Sequence, residues 1–302
     1  MKRVLLVVVL VVAAAVVGLW RSHGGVRAGL NQVVNGAGDG NSRGATGDEI
    51  RKTFELKPGA HVAVQGINGL VEIQTSDTNT AEVLVRRSGD RPNSLQRREM
   101  IVEQTSDGLL VRSKQRYNGL WDHLFGKDPK EEVTIKAPRQ IALTLKGING
   151  RVTSGDIDGS LEVKGVNGRV ELGLVNESAQ LGGINGSISL GLGKLGERGV
   201  HIGGINGPLE LRLASSLNAD LTAKGMNGRV SSEIPEVTVN SEDGWSRYSA
   251  RIGDGGALIE IGGVNGDVKL TRANRDVATT SPNPNPPVKK GAPTQTPGKS
   301  TQ

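Results

Sequence analysis

The sequence predicts an all-β fold, a β-solenoid or β-helix with about 18–21 residues per coil, and three observations predict it. The tetrapeptide Gly-(Ile/Val/Met)-Asn-Gly occurs seven times, with asparagines at Asn68, Asn149, Asn167, Asn185, Asn206, Asn227 and Asn265. Their separations are 81, 18, 18, 21, 21 and 38 residues, and a recurring short period marks stacked repeat units. Aliphatic residues alternate by two on both sides of each copy, so a half-buried strand enters the motif and another leaves it. Finally, 302 residues include 44 glycines and only seven aromatics. A conventional globular core of that size uses more large side chains, whereas narrow repetitive β-structure does not need them.

Registering the copies on asparagine exposes the expected core. Six positions earlier stand Val62, Leu143, Leu161, Ala179, Val200, Leu221 and Ile259; four earlier stand Val64, Leu145, Val163, Leu181, Ile202, Ala223 and Ile261. Three positions later come Val71, Val152, Val170, Ile188, Leu209, Val230 and Val268. Five later come Ile73, Leu172, Leu190, Leu211 and Leu270, with Ser154 and Ser232 as exceptions. The three extra residues of the longer copies fall far from the motif and belong to a corner elsewhere in the coil.

Asn-Gly between alternating strands is also a strong hairpin signal, so a meander or barrel of hairpins competes with the solenoid. Pro208 favours the solenoid. It follows Asn206-Gly207, where a two-residue hairpin needs a backbone N–H that proline lacks. The residue before each asparagine is always aliphatic, as at Ile67, Ile184 and Met226, which suits an inward-turned corner. Asparagine tolerates left-handed backbone angles and can bond to its equivalent in the next coil.

Along the chain, residues 1–21 carry an apolar run of 17 residues behind Lys2 and Arg3, a signal anchor or a signal peptide. Ala13–Ala15 supply small residues for cleavage, while the apolar run continuing to Trp20 favours a retained anchor. Either way the bulk of the chain is expected outside the cytoplasm. Residues 22–48 read as a flexible Gly-rich tether, 49–274 as the repeat domain and 275–302 as a disordered Pro/Thr-rich tail. A basic and aromatic insertion is set apart at about 86–130. Its YNGLWDHLF run places aromatic and aliphatic residues on one face of a short helix, expected to cap an open end.

The repeats also carry a resemblance. GING and GVNG, the opening FELKPGAHVAVQGINGLVEI, the segment VTIKAPRQIALTLKGINGRV and the closing IGDGGALIEIGGVNGDVKL resemble a bacterial family of candidate adhesins. That family consists of β-strand repeat proteins of unknown function related to head GIN domains. The resemblance spans roughly residues 50–272 and implies an exported β-solenoid without catalytic residues. It departs in the long segment between Asn68 and Asn149 and near Pro235–Tyr248.

Motifs for chemistry are sparse. The chain has no cysteine, which excludes disulfides and thiolate metal sites. Gly191-Leu-Gly193-Lys-Leu-Gly196 matches a dinucleotide fingerprint by letter, but no helix follows, so it reads as a corner. Asp156-Ile-Asp158-Gly159 lacks the distal ligands of a calcium loop. His23, His61, His123 and His201 are scattered. Glu162, Glu171 and Glu210 alternate outward as solvated strand faces, although a polysaccharide-cleaving β-helix would use paired carboxylates. No cofactor and no metal is expected. Net charge +6 and pI ≈ 9.6 favour an anionic cell-envelope polymer or membrane surface over nucleic acid, for which no motif is present. The candidate contact patch is Tyr117, Trp121 and Phe125 with Arg112, Lys114 and Arg116, and a further basic run is Arg86, Arg87, Arg91, Arg97 and Arg98. The expected function is a non-enzymatic envelope interaction or adhesion module, membrane-tethered or secreted, able to contact a protein partner or self-associate. A carbohydrate-active enzyme and an accessory to envelope-stress signalling are the alternatives.

Overall fold

A computed structural model describes residues 46–90, 94–116, 128–242 and 246–273. The predicted span at 1–21, most of the tether and the tail lie outside them. Among the described residues the fold is all-β: twenty strands in one connected sheet, with a single 3-10 turn at Leu95–Arg97.

Each motif copy contributes one layer, made of an entering strand, the Asn-Gly corner and a leaving strand. Successive layers pair in parallel and in register. Ser160–Asn167 pairs with Ser178–Asn185, which pairs with Val200–Asn206, so Leu161, Ala179 and Val200 align, as do Asn167, Asn185 and Asn206. The leaving strands Val170–Val175, Ile188–Leu192 and Leu209–Leu213 stack the same way. None of the seven Asn-Gly pairs closes a hairpin; in the Asn149 layer one strand, Ile141–Ser154, runs straight through it. The extra residues of the two 21-residue copies sit at 193–199 and 214–218, in the corners after Leu192 and Leu213, away from the motif.

The core is a set of aliphatic columns. Every residue of the columns six and four before asparagine, and three after, is buried, as is each residue just before asparagine, from Ile67 and Ile148 to Met226 and Val264. Inward-pointing residues change parity between the entering and leaving strands. The glycine two places before each asparagine makes this possible, because it takes left-handed angles (φ 64° at Gly147, 66° at Gly165) and inserts a one-residue phase slip. The glycine after asparagine answers a second demand, close stacking. A Cβ on Gly168 would lie 1.9 Å from the Gly150 carbonyl oxygen of the layer below.

Layer order departs from chain order at both ends. The strands Gly108–Gln115 and Lys130–Pro138, the first within and the second following the stretch set apart in the sequence as an insertion, join the stack. Gly108–Gln115 pairs in parallel with Ala60–Gln65, and Lys130–Pro138 with Asn68–Ser76. Neither strand carries the Gly-x-Asn-Gly tetrapeptide, which is why sequence periodicity misses them. The Asn68 layer therefore lies between these two strands and the Asn149 layer. At the other end, Ala257–Asn265 and Val268–Arg272 pair with the Asn206 layer on one side and with Ala219–Lys224 and Val230–Ser232 on the other. The last layer in sequence is thus second from the end in space.

Antiparallel strands cover the ends. Arg98–Gln104 lies on Gly108–Gln115, Thr80–Gly89 on Lys130–Pro138, and Thr46–Glu55 on Thr80–Gly89. The outer edges of Thr46–Glu55 and Arg98–Gln104 are blocked by side chains: Lys52 Nζ donates to the Val102 carbonyl (2.7 Å) and Gln104 Nε2 to the Glu55 carbonyl (3.0 Å). Such blocking discourages pairing with another chain. At the opposite end Arg247–Ile252 lies antiparallel on Ala219–Lys224 and is itself covered by the four-residue strand Val239–Glu242. Ile234 and Val237 are buried beside it.

Candidate functional site

Parallel in-register stacking turns each sequence position into a column on the surface. The corner column is asparagine. Asn149 Nδ2 donates to Asn68 Oδ1 (3.2 Å), Asn167 to Asn149 (3.4 Å), Asn185 to Asn167 (3.4 Å) and Asn206 to Asn185 (3.1 Å). Asn265 then donates to Asn206 (3.0 Å) and Asn227 to Asn265 (2.8 Å). Every bond points the same way, and Asn68 Nδ2 ends the series on the Pro129 carbonyl (3.1 Å).

The flat face of the entering strands carries the most varied chemistry. Three places before asparagine, the layers in spatial order present Gln65, Lys146, Lys164, Gly182, Gly203, Gly262 and Lys224. The three adjacent glycines leave bare backbone and form the floor of a trough of about 500 Å³. Gln180, His201, Glu260 and Thr222 line its side, and Lys164 and Lys224 stand at its two ends. From Lys164 to Lys224 is four layer steps, about 19 Å at the usual strand spacing.

Electrostatics along this face are organised. Glu162 sits between Lys164 (2.7 Å) and Lys146 (2.9 Å). The hydrogen bond from Lys164 holds its carboxyl below the usual value of 4.5, against the opposing effect of burial and with further help from Lys146. Lys164 also reaches Gln180 Oε1 (3.4 Å). His201 Nδ1 meets Glu260 (2.9 Å), and His61 Nε2 meets the Thr144 hydroxyl (2.9 Å). The leaving-strand face is filled differently. Opposite Gly191, Arg212 extends to donate to the Leu172 carbonyl two layers away (2.6 Å), covering that glycine track.

The residues singled out in the sequence lie elsewhere. Arg112 is half-buried on Gly108–Gln115, Lys114 is exposed on the same strand, and Arg116 pairs with Glu99 (3.0 Å). Tyr117, Trp121 and Phe125, and with them the expected capping helix, are outside the described residues. The basic run is largely ion-paired: Arg86 with Glu49 (3.1 Å), Arg87 with Asp48, Arg97 with Asp128 (3.8 Å) and Arg98 with Glu131 (3.4 Å). It is therefore a structural network at the N-terminal end, a correction to its reading as an open basic surface. Asp156 serves a corner, accepting from the Leu174 N–H (2.8 Å), and Gly193 donates to the Val175 carbonyl. Among the described residues no group of three His, Cys, Asp or Glu side chains is placed to hold a metal ion.

Sequence reasoning missed the trough, although a signal was present. The copies read QGING, KGING, KGVNG, GGING, GGING, KGMNG and GGVNG, and the alternation of Lys with Gly in the first place of the last six is the variation that shapes this face.

No protein-family model matches the chain, and no curated protein matches it. Among solved structures it is similar to a candidate cell adhesion protein from Clostridium sporogenes, at 16% identity over 76% of this chain and 100% of that one, with a TM-score of 0.39. It is also similar to candidate adhesins from Parabacteroides merdae (12% identity, 74% and 96% coverage, TM-score 0.24) and Bacteroides fragilis (10% identity, 74% and 97% coverage, TM-score 0.27).

Proposed function

We propose that the protein is an exported, non-enzymatic β-solenoid of the cell envelope that holds an extended anionic polymer along its entering-strand face. The observation that carries this reading is the trough floored by Gly182, Gly203 and Gly262 between Lys164 and Lys224. Bare backbone admits a chain-like ligand closely, and a lysine at each end suits a ligand with spaced negative charges. The apolar run at residues 4–20 supports export, and the net charge of +6 supports an acidic partner. The rigid stack gives such a surface fixed spacing.

The test is retention of the full-length chain on immobilised alginate, a linear polyuronate, with neutral dextran as the control. Lys164→Glu combined with Lys224→Glu is expected to weaken binding at least about tenfold, near 1.4 kcal/mol. The pair Lys57→Glu and Lys114→Glu, with the same net charge change away from the trough, is expected to weaken it far less. Equal losses from both pairs, or no preference for alginate over dextran, would overturn the reading.

A further inference from the structure

We propose that the terminal layer, residues 257–272, exchanges between copies of this chain, so that the last layer of one molecule seats between the Asn206 and Asn227 layers of a second. The inference rests on layer order and is independent of the polymer-binding reading.

The slot that residues 257–272 fill is built from chain that precedes them. Its walls are residues 200–213 and 219–232, joined by the short segment 214–218. The contacts across it are the repeat's own columns. Ile259, Ile261, Val268 and Leu270 meet Val200, Ile202, Leu209 and Leu211 on one side. Leu221, Ala223 and Val230 meet Ile259, Ile261 and Val268 on the other. Asn265 completes the asparagine series between Asn206 and Asn227. All of these contacts form equally well with the same segment of another molecule, so the closed and exchanged forms differ mainly at the connection.

That connection is short. Arg247–Ile252 and Ala257–Asn265 lie on opposite edges of Ala219–Lys224, so residues 253–256 must straddle this strand, a span of about 10 Å. The turn uses left-handed angles at Gly253 (φ 57°) and Gly255 (φ 81°). Its main-chain N–H groups are held by exposed partners, Asp254 by Asn218 Oδ1 (3.0 Å) and Gly256 by Asp220 Oδ2 (3.0 Å). Short hinges of this kind favour exchange, because opening lets them extend.

The N-terminal end has the same layer order without the same freedom. There the intercalated layer, residues 60–76, is tied to its cover by Glu131, which is fully buried, accepts from the Asn68 N–H (2.9 Å) and the Ser113 hydroxyl, and is ion-paired with Arg98 (3.4 Å). The C-terminal layer is tied by polar pairs that are roughly half exposed: the His201–Glu260 contact and the ion pairs Lys269–Glu233 and Arg272–Glu236. Exchange is therefore confined to the C-terminal end.

The chain has no cysteine, which makes cross-linking unambiguous. His201 and Glu260 are register partners on adjacent strands, within reach of a disulfide. One full-length sample carries His201→Cys and another Glu260→Cys; the two are mixed, unfolded, refolded together at rising concentration and oxidised. A mixed disulfide-linked dimer that increases with concentration is expected, while the double variant on a single chain links internally when dilute. The proposal is overturned if the double variant links internally but the mixed single variants never link. Absence of an internal link also overturns it, because the slot would then not exist. So does equal linking between Leu70→Cys and Arg151→Cys chains, register partners at the N-terminal end, since exchange would not be specific to the last layer.

Discussion

At the N-terminal end, residues 60–76 lie beneath the strands Gly108–Gln115 and Lys130–Pro138 and are fixed there by a buried carboxylate with two donors and an arginine ion pair. At the C-terminal end, residues 257–272 lie beneath residues 219–232 and are fixed by ladder hydrogen bonds, aliphatic columns and exposed ion pairs. Both arrangements place a terminal layer second from the end, under a layer from the chain interior. A buried charge is costly unless all its partners are present, so the N-terminal network accepts one arrangement only. Exposed pairs contribute little and discriminate little. The first end is therefore specified by chemistry and the second by shape and repetition.

Substitutions break or sharpen this contrast. The largest effect is expected from Glu131→Ala, which leaves Arg98 with the Asp128 carboxylate alone and strips the Asn68 N–H and the buried Ser113 hydroxyl of their acceptor, and should cost about 3 kcal/mol in urea unfolding. In the middle of the stack, Gly168→Ala drives a Cβ into the Gly150 carbonyl and should cost about 2 kcal/mol or more. Asn185→Ala removes two ladder bonds and should cost about 1 kcal/mol, whereas Asn227→Ala, at the end of the series, should cost about half as much. Replacing His201 and Glu260 together by alanine should change unfolding by less than about 1 kcal/mol, the counterpart at the C-terminal end to Glu131→Ala. A result for that pair as large as for Glu131 would erase the difference between the ends.

A further effect concerns pH. Glu162 has its carboxyl lowered below 4.5 in the folded chain by Lys164, so its stabilisation is present above the unfolded value and is lost as pH falls through the folded one. Between pH 5 and 3, wild-type stability should fall by up to about 1 kcal/mol more than that of Glu162→Gln, measured by thermal unfolding. An identical pH profile for both would show that Lys146 and Lys164 do not hold the carboxylate.

Much of the fold was legible because the repeat writes its own register. The aliphatic columns at Val163, Leu181 and Ile202 are the buried ones, and the residue before asparagine turns inward as Ile184 and Ile205 do. The strands Gly108–Gln115 and Lys130–Pro138 were not legible, since Leu109, Val111, Val133 and Ile135 fill the same core without the Gly-x-Asn-Gly tetrapeptide and its spacing, which mark the other layers. The basic run around Arg98 looked like a surface because its partners, Glu131 and Asp128, come some thirty residues later. The lysine and glycine variation ahead of the motif was visible, yet its meaning depended on neighbours.

The sequence by itself determined the layer: which residues point inward, where the chain bends, and that asparagine marks each corner. Only the tertiary structure decided the order of the layers. In chain order Lys224 stands between Gly203 and Gly262, and the glycines do not form one track. In space Gly262 moves inside Lys224, so three glycines become continuous and a lysine closes each end. The physical reason is that every layer offers its neighbours the same aliphatic columns and the same backbone edges. Local pattern is therefore indifferent to succession, and the covers at the two ends choose among the possible orders.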